Sequence, residues 1–413
     1  MSSEVSSGGV GLADYLSGVL SEINPLRPFD LALHDAHAGV LATDVQAPGP
    51  LPPFDMAAVD GYALRADDVS GATERLPARL SVIGDVTSTS WKPTRLTGGS
   101  CFSVAAGAPL PAGADTVVPT SWTDGGLVVI EVADAPRRGS FVRRTGDDVA
   151  AGTVMLPAGT YVSAGVVGLL AAAGIDHVAV RPRPRMVAVA TGDELVNTGR
   201  VGSPGQVVDA NSHTLAAAAV EAGAQAFRVG ICQDDPEKLR SLLDDQTIRA
   251  DLVVLTGGTG TGPGDMVRRT LTREGVTFTD VSVYPSQVFG FGRIGDERTP
   301  VICLPGDPGS ALVGFEVLVR PVLQRLAGAE PVFRPSVKAH LTETVSSPRG
   351  YREFRPAYVT ERRGGGYTAA PLAGGPHLLS GLAAANALMV LGERIATAPA
   401  GTSVDVLLFD RRR

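Results

Sequence analysis

Residues 251–265, DLVVLTGGTGTGPGD, carry the pattern that decides the fold of this chain. Leu252, Val253, Val254 and Leu255 read as a short buried strand, because four consecutive apolar residues leave no solvent face. The strand runs into Thr256-Gly257-Gly258-Thr259-Gly260-Thr261-Gly262, where glycines let the backbone approach a ligand and turn its N–H groups inward. MVRRTLTREG (266–275) then reads as a helix, so the loop sits at the carboxyl end of a strand and feeds a helix N-terminus. Open α/β sheets bind anions at such places, because unpaired N–H groups and the helix dipole face the ligand. Asp265 closes the loop with a carboxylate suited to a cation, an amine or a hydroxyl. The spacing is neither the Walker pattern, since no Gly-Lys-Ser/Thr follows, nor G-x-G-x-x-G. The plainer reading is a tight strand-to-helix turn without a ligand.

A second segment supports the ligand loop. Met186-Val187-Ala188-Val189-Ala190 is another short apolar strand, and it ends in Thr191-Gly192-Asp193-Glu194. Two strand ends of one parallel sheet would thus each present small residues and carboxylates. Between them, SHTLAAAAVEAGA and DDPEKLRSLLDD read as helices, with Asp234 or Asp235 as N-cap and Pro236 in the first turn. The β–α–β rhythm of 184–325 predicts a doubly wound parallel sheet with helices on both faces.

At 413 residues the chain exceeds one ordinary core, and two to four domains are expected. The high Gly and Pro counts, 50 and 30, suit many turns and exposed loops. A net charge of −7 without a long basic run argues against nucleic acid as partner. The tail Arg411-Arg412-Arg413 reads as solvated. Cys101, Cys232 and Cys303 form an odd set with no C-x-x-C, which argues against disulfides or zinc and fits a reducing cytoplasm. Cys232 and Cys303 read as small core residues. Neither a basic leader nor a span-length apolar run is present, so direct membrane insertion is not expected.

Residues 1–9 are Ser/Gly-rich and are expected to be disordered. LADYLSGVLSEI reads as an amphipathic helix and GTYVSAGVVGLLAAAGI (159–175) as an Ala/Val/Leu helix. Residues 46–142, rich in Pro, Gly and short Val/Thr runs, suggest a small β-rich domain. Residues 329–413 lack helical periodicity and read as short strands with Gly turns.

Several blocks resemble the molybdopterin molybdenumtransferase family (MoeA and the E-domain of gephyrin). They are PPFDMAAVDGYALRADD (52–68), GAPLPAGADTVV (107–118), VRRTGDDVAAGT (142–153), ATGDEL (190–195), GQVVDAN (205–211), DDP (234–236), TGGTGTGPGD (256–265), LPGDPGSALVGFE (304–316) and GYREFR (350–355). They follow the family's order over nearly the whole chain, and TGGTG…D is shared with MogA-type adenylyltransferases. The resemblance implies a multidomain α/β protein with a MogA-like doubly wound molybdopterin-binding domain (181–328). It also implies a discontinuous linker and dimerisation domain (10–45 and 143–180), an inserted β-rich domain (46–142) and a C-terminal β domain (329–413). An elongated homodimer whose cleft uses both subunits follows from the same resemblance.

The activity implied is insertion of molybdate into adenylylated molybdopterin, with release of AMP and Mg²⁺ as cofactor. The pterin nucleotide is a polyanion and molybdate a dianion, so such a site needs anion donors and carboxylates for the hard cation. The family's catalytic carboxylates match Asp60, Glu194, Asp234 and Asp265, with Asp234 and Asp265 as metal ligands. Gly257, Gly258, Thr259 and Gly262 match its molybdopterin loop, and Arg352 and Arg355 its molybdate region. Each carboxylate has a plainer reading as a cap or turn residue, and each arginine as part of a solvated strand face.

The departures concern anion binding. Tyr284-Pro285-Ser286-Gln287-Val288 stands where the family has KPGKP, so both lysines are missing. Ala106 replaces a Thr, Gly260 a Ser, and Asp307 the Asn of LPGNP, which adds negative charge. Gly375-Pro376-His377 stands where a family loop often has Ser, and His377 reads as a loop residue. A second function therefore stands beside the first: a catalytically weakened, gephyrin-like dimeric scaffold that holds a partner-protein tail, for example in cell division.

Overall fold

A computed structural model of the chain describes residues 9–87, 95–200, 202–262, 265–372 and 379–409. The readings made for residues 1–8, Gly375-Pro376-His377 and Arg411-Arg412-Arg413 lie outside the described residues. The chain forms two compact units, one of residues 1–29, 38–42 and 179–413, the other of residues 30–37 and 43–178.

The first unit contains the expected doubly wound domain. Its strands and helices follow in order as β1 (Arg185–Thr191), α1 (Asn211–Glu221), β2 (Gln225–Cys232), α2 (Pro236–Thr247) and β3 (Leu252–Thr256). They continue with α3 (Met266–Thr272), β4 (Thr277–Asp280), β5 (Val288–Ile294), β6 (Thr299–Leu304), α4 (Pro308–Gly314) and α5 (Arg320–Ala327). The six strands lie in the order β2-β1-β3-β6-β5-β4. The first four are parallel, β5 runs antiparallel to β6, and the edge strand β4 is antiparallel to β5.

The apolar runs of β1 and β3 follow from burial on both faces. Met186, Ala188, Leu252 and Val254 pack with Leu215 of α1, Leu16 of the N-terminal helix Leu12–Ser21 and Leu323 of α5. Val187, Val189, Val253 and Leu255 face the other way, against Leu239 and Leu243 of α2 and Val267 and Leu271 of α3. Alternating side chains of one strand thus feed two cores, which requires β-branched or aliphatic residues at every position.

Asp235, not Asp234, caps α2: its carboxylate accepts from the N–H groups of Glu237 (2.9 Å) and Lys238 (3.3 Å), with Pro236 at the first position. Asp307 caps α4 by accepting from the N–H and hydroxyl of Ser310, both at 2.9 Å. The charge expected near an anion site is thus drawn into a helix cap, where the dipole favours it.

The C-terminal residues build a second six-stranded sheet from Ser336–Leu341, Arg352–Glu361, Tyr367–Pro371, Ala387–Leu391 and Ser403–Leu408. Its sixth strand, Val283–Tyr284, comes from outside the expected 329–413 and pairs in parallel with Arg352 and Glu353. A buried bidentate pair, Arg334 with Glu316 at 2.7 and 3.3 Å, further ties the segment after α4 to this sheet. Arg334 also donates to the carbonyl of Leu408 at 3.0 Å.

The second unit holds a five-stranded sheet in the order Thr116–Pro119, Gly61–Leu64, Ser100–Val104, Ala78–Val86, Val129–Val132. A Cβ on Gly61 would stand 2.0 Å from the carbonyl oxygen of Val118, so this central strand needs glycine there. Asp55 joins two motif blocks by accepting from Arg144 (2.7 Å) and from the N–H and hydroxyl of Thr145 (2.8 and 2.9 Å). The Thr145 N–H first, and the Arg144 guanidinium after it, hold the Asp55 carboxyl below its ordinary value. The Ala/Val/Leu helix spans Ala164–Ala172, capped by Ser163. Among the described residues no helix is long and apolar enough to cross a membrane.

Candidate functional site

In β2-β1-β3-β6, the connections from β1 and β3 leave in opposite directions, which opens a crevice at the carboxyl ends of β1 and β3. A cleft of about 860 Å³ occupies that crevice. Thr191 and Thr256 end the two strands, Gly306 follows β6, and the glycine loop forms one wall. Asn211 braces these walls by donating to the Thr256 hydroxyl (2.8 Å) and the Gly306 carbonyl (2.7 Å). The Thr256 hydroxyl in turn donates to the Pro305 carbonyl at 2.9 Å. Asn211 ends the GQVVDAN block, and the signal for its bracing role is its place at the start of the helical run NSHTLAAAAVE.

The glycines of the loop serve close packing. Gly257 has φ +102°, and a Cβ there would lie 2.5 Å from the Thr191 carbonyl oxygen. Gly258 has φ +63°, and its Cβ would meet Val267 of α3 at 3.0 Å. Gly260 and Gly262 leave room for Asp265, whose carboxylate accepts from their N–H groups at 2.9 and 2.6 Å. Two N–H groups expected to face a ligand are therefore taken by the chain itself, and α3 has only seven residues. A serine at 260 would crowd Asp265, so Gly260 lets the loop close.

Glu194, Asp234 and Asp265 all line the cleft, as does Asp209. Glu194 folds over Gly192, where a Cβ would come within 2.5 Å of its carboxylate. Asp234 and Asp193 exchange hydrogen bonds, the Asp234 N–H donating to Asp193 at 3.1 Å and the Asp193 N–H to Asp234 at 3.4 Å. Partial burial pushes the Asp234 carboxyl above its ordinary value, and the charges of Asp193, Glu194 and Asp265 push it further, against that N–H contact. Among the described residues no three Asp, Glu, His or Cys side chains form a ready-made cation site. Mg²⁺ binds through one or two carboxylates plus waters and substrate phosphates, so the cleft fits a cation that arrives with its substrate.

The remaining expectations divide. Thr259 and Gly260 line the cleft with Gly257 and Gly258, whereas Gly262 acts through Asp265. Gln287 lines it; Tyr284 does not, and sits in register with Glu353 of the C-terminal sheet. Neither arginine of GYREFR lines it. Arg352 pairs with Glu393 at 3.0 Å, and Arg355 with Glu353 at 2.7 Å and the Ser346 carbonyl at 2.7 Å. Asp60 belongs to the second unit, is exposed, and accepts from the Ala106 N–H at 2.8 Å. Cys101, Cys232 and Cys303 are free and buried, and burial pushes the Cys101 thiol up to about 12, as suits packing rather than nucleophilic residues.

The chain is similar to known proteins over nearly its whole length. Residues 10–174 match the MoeA N-terminal region (domain I and II), residues 187–325 a "Probable molybdopterin binding domain", and residues 338–409 the MoeA C-terminal region (domain IV). The chain is 38% identical over 387 residues to molybdopterin molybdenumtransferase 2 of Mycobacterium tuberculosis, covering 92% of this chain and 95% of that protein. It is 29% identical to the molybdopterin molybdenumtransferase of Bacillus subtilis, covering 92% and 89%. The crystal structure of molybdopterin biosynthesis MoeA protein from Pyrococcus horikoshii superposes with a TM-score of 0.82 at 28% identity, covering 97% of this chain and 100% of that one.

Proposed function

Because the chain belongs to the molybdopterin molybdenumtransferase family, we propose that its cleft inserts molybdate into adenylylated molybdopterin and releases AMP. The observation that carries this reading is the joining of Glu194, Asp234 and Asp265 with the glycine loop around one cleft at the sheet's switch point. Mg²⁺ would be held by Asp234 and Asp265 together with substrate phosphate, and would supply charge neutralisation at the adenylate linkage. Asp265 also keeps the loop closed, Asn211 fixes the distance between its walls, and Glu194 presents a carboxylate over Gly192. Three buried free thiols and an acidic composition suit the cytoplasm.

The test is AMP release from adenylylated molybdopterin in the presence of molybdate, with Asp234→Asn beside the wild type. Asp234 binds a cation only when ionised, so a proton and Mg²⁺ compete for its carboxylate, whose value burial and the neighbouring acidic groups raise in the metal-free cleft. The variant is expected to need about tenfold more Mg²⁺, since one of two carboxylates is neutralised. Its melting temperature should not fall at neutral pH. A raised folded-state value means that the ionised group opposes folding once pH exceeds that value, and Asn removes the charge. Equal Mg²⁺ dependence in both proteins would take Asp234 out of the metal site.

A homodimer is supported by the helix Ala164–Ala172, AGVVGLLAA. It is apolar all round, yet only Leu170 of its nine residues is buried. Such a helix calls for cover on its other faces, and we assign that cover to a second copy whose residues complete the cleft. Val167→Asp should give a monomer by light scattering at micromolar concentration; a persisting dimer would place the interface elsewhere.

The alternative scaffold role would place a partner tail in a separate groove of about 670 Å³ in the first unit, where Leu16, Leu20, Val317, Phe333 and Phe354 stand among charged residues such as Arg325 and Glu330. An apolar partner tail would suit these walls.

A further inference from the structure

The cleft has an electrostatic deficit. Among the described residues that line it, Glu194, Asp234 and Asp265 are acidic, the fourth carboxylate, Asp209, is buried against Arg228 at 3.7 Å, and none is a lysine or arginine. Part of the loop backbone is already engaged: Asp265 occupies the N–H groups of Gly260 and Gly262, and Gly257 donates to the Leu304 carbonyl at 3.1 Å. A ligand with several phosphate charges would enter such a cleft only if its charge were met elsewhere or carried in by a cation.

A second cavity of about 480 Å³ adjoins the cleft. The two share Gly192 and Leu195, so the turn from Gly192 to Leu195 is a common ridge, with Glu194 on the cleft side and Asp193 on the other. The Asp193–Asp234 hydrogen bonds hold this ridge to the chain just before α2. Arg200 and Lys238 line this second cavity and are the only lysine or arginine lining either space among the described residues. Both are exposed, and the Lys238 ammonium is steered by a hydrogen bond to the Gln233 side-chain oxygen. Ile231 and Leu242 give an aliphatic wall, and Asn197 and Gln206 carry amides that both donate and accept. An aliphatic wall, paired amide groups and two cations match a flat heterocycle that carries a phosphate.

We propose that this cavity receives the nucleoside monophosphate end of the substrate, with Arg200 and Lys238 taking its phosphate charge. The proposal rests on the enzymatic reading, in which the substrate carries AMP. The acidic cleft is then left to the pterin end and the cation, and the two cavities divide one polyanion by charge.

Calorimetric titration of the full chain with AMP, adenosine and inorganic phosphate tests this on the wild type, Arg200→Ala/Lys238→Ala and Arg200→Lys/Lys238→Arg. AMP affinity should fall at least tenfold in the alanine pair, be largely kept in the conservative pair, and weaken with salt more steeply in the wild type and the conservative pair than in the alanine pair. Adenosine should bind both the wild type and the alanine pair weakly and alike. Absence of AMP binding at millimolar concentration, equal AMP affinity in the alanine pair, or inorganic phosphate binding as tightly as AMP would each overturn the nucleotide assignment. AMP release separates this result from the parent reading. A wild type that turns over, with an alanine pair of unchanged KM, loses the subsite and keeps the enzyme. A wild type without turnover whose AMP binding still depends on Arg200 and Lys238 keeps the subsite and loses the enzyme.

Discussion

A Gly257→Val variant is expected to lose molybdopterin affinity by at least about a hundredfold, roughly 2.7 kcal/mol. The residue stands at φ +102°, where a side chain is strained whatever the space, and such strain costs on the order of 1–3 kcal/mol. Its Cβ would also stand 2.5 Å from the Thr191 carbonyl oxygen and 2.8 Å from the Thr191 hydroxyl. Those atoms belong to the end of β1, a buried strand that cannot retreat without opening its pairing to β3. The loop must lift instead, and it then leaves the cleft wall it shares with Gly306. Gly258→Val should do less, because the nearest obstacle is the Val267 side chain at 3.0 Å rather than backbone. Calorimetry with molybdopterin ranks the two, and a melting curve on each protein separates a displaced loop from an unfolded domain. Unchanged affinity in a folded Gly257→Val protein would remove this loop from the binding site.

The strands, helices and crevice were legible because their signals are local. β1 and β3 are apolar at every position since each feeds two cores, and that run is visible without knowing the partners. Pro236 and Asp235 announce the start of α2, although only the geometry separates Asp235 as cap from Asp234 as cleft carboxylate. The uses of Asp265 and Gly260 were hidden, because a carboxylate that folds back on its own loop looks in sequence like one that faces a ligand. Arg352 was hidden for a long-range reason. Arg352 pairs with Glu393 across the C-terminal sheet, whereas Arg355 pairs with Glu353 only two residues away; the strand Val283–Tyr284 that joins this sheet is only two residues long. No periodicity can be read from two residues. That no lysine or arginine among the described residues lines the cleft was half legible: the missing lysines could be counted, but not that Arg200 and Lys238 gather next door.

Restoring the two lysines should have unequal effects. Gln287 lines the cleft, so Gln287→Lys places an ammonium in the space that Glu194, Asp234 and Asp265 line and where substrate anions must also sit. A charge-assisted hydrogen bond contributes about 1.5–3 kcal/mol, which corresponds to a gain in molybdate affinity of about 10–150-fold. Tyr284 is the register partner of Glu353, whose carboxylate is 3% exposed and has one buried oxygen without a hydrogen-bond partner. A lysine at 284 would meet that carboxylate first, and an ammonium spent on a buried pair has little left for molybdate. Tyr284→Lys alone should therefore change molybdate affinity by less than about threefold, and the double variant should resemble Gln287→Lys. The gain at 287 should shrink with added salt, though less than at an open surface. Molybdate titration and AMP release on the wild type, both single variants and the double variant measure this. Equal gains from the two single changes would mean that Tyr284 also faces the substrate. A pull-down from cell lysate run on the same proteins supplies the other arm. If the double variant gains no affinity and shows no turnover, while the wild type retains a partner through an apolar tail that is lost on Phe333→Asp in the groove, the scaffold reading replaces the enzyme. Turnover that rises with Gln287→Lys leaves the enzyme standing, short of one positive charge.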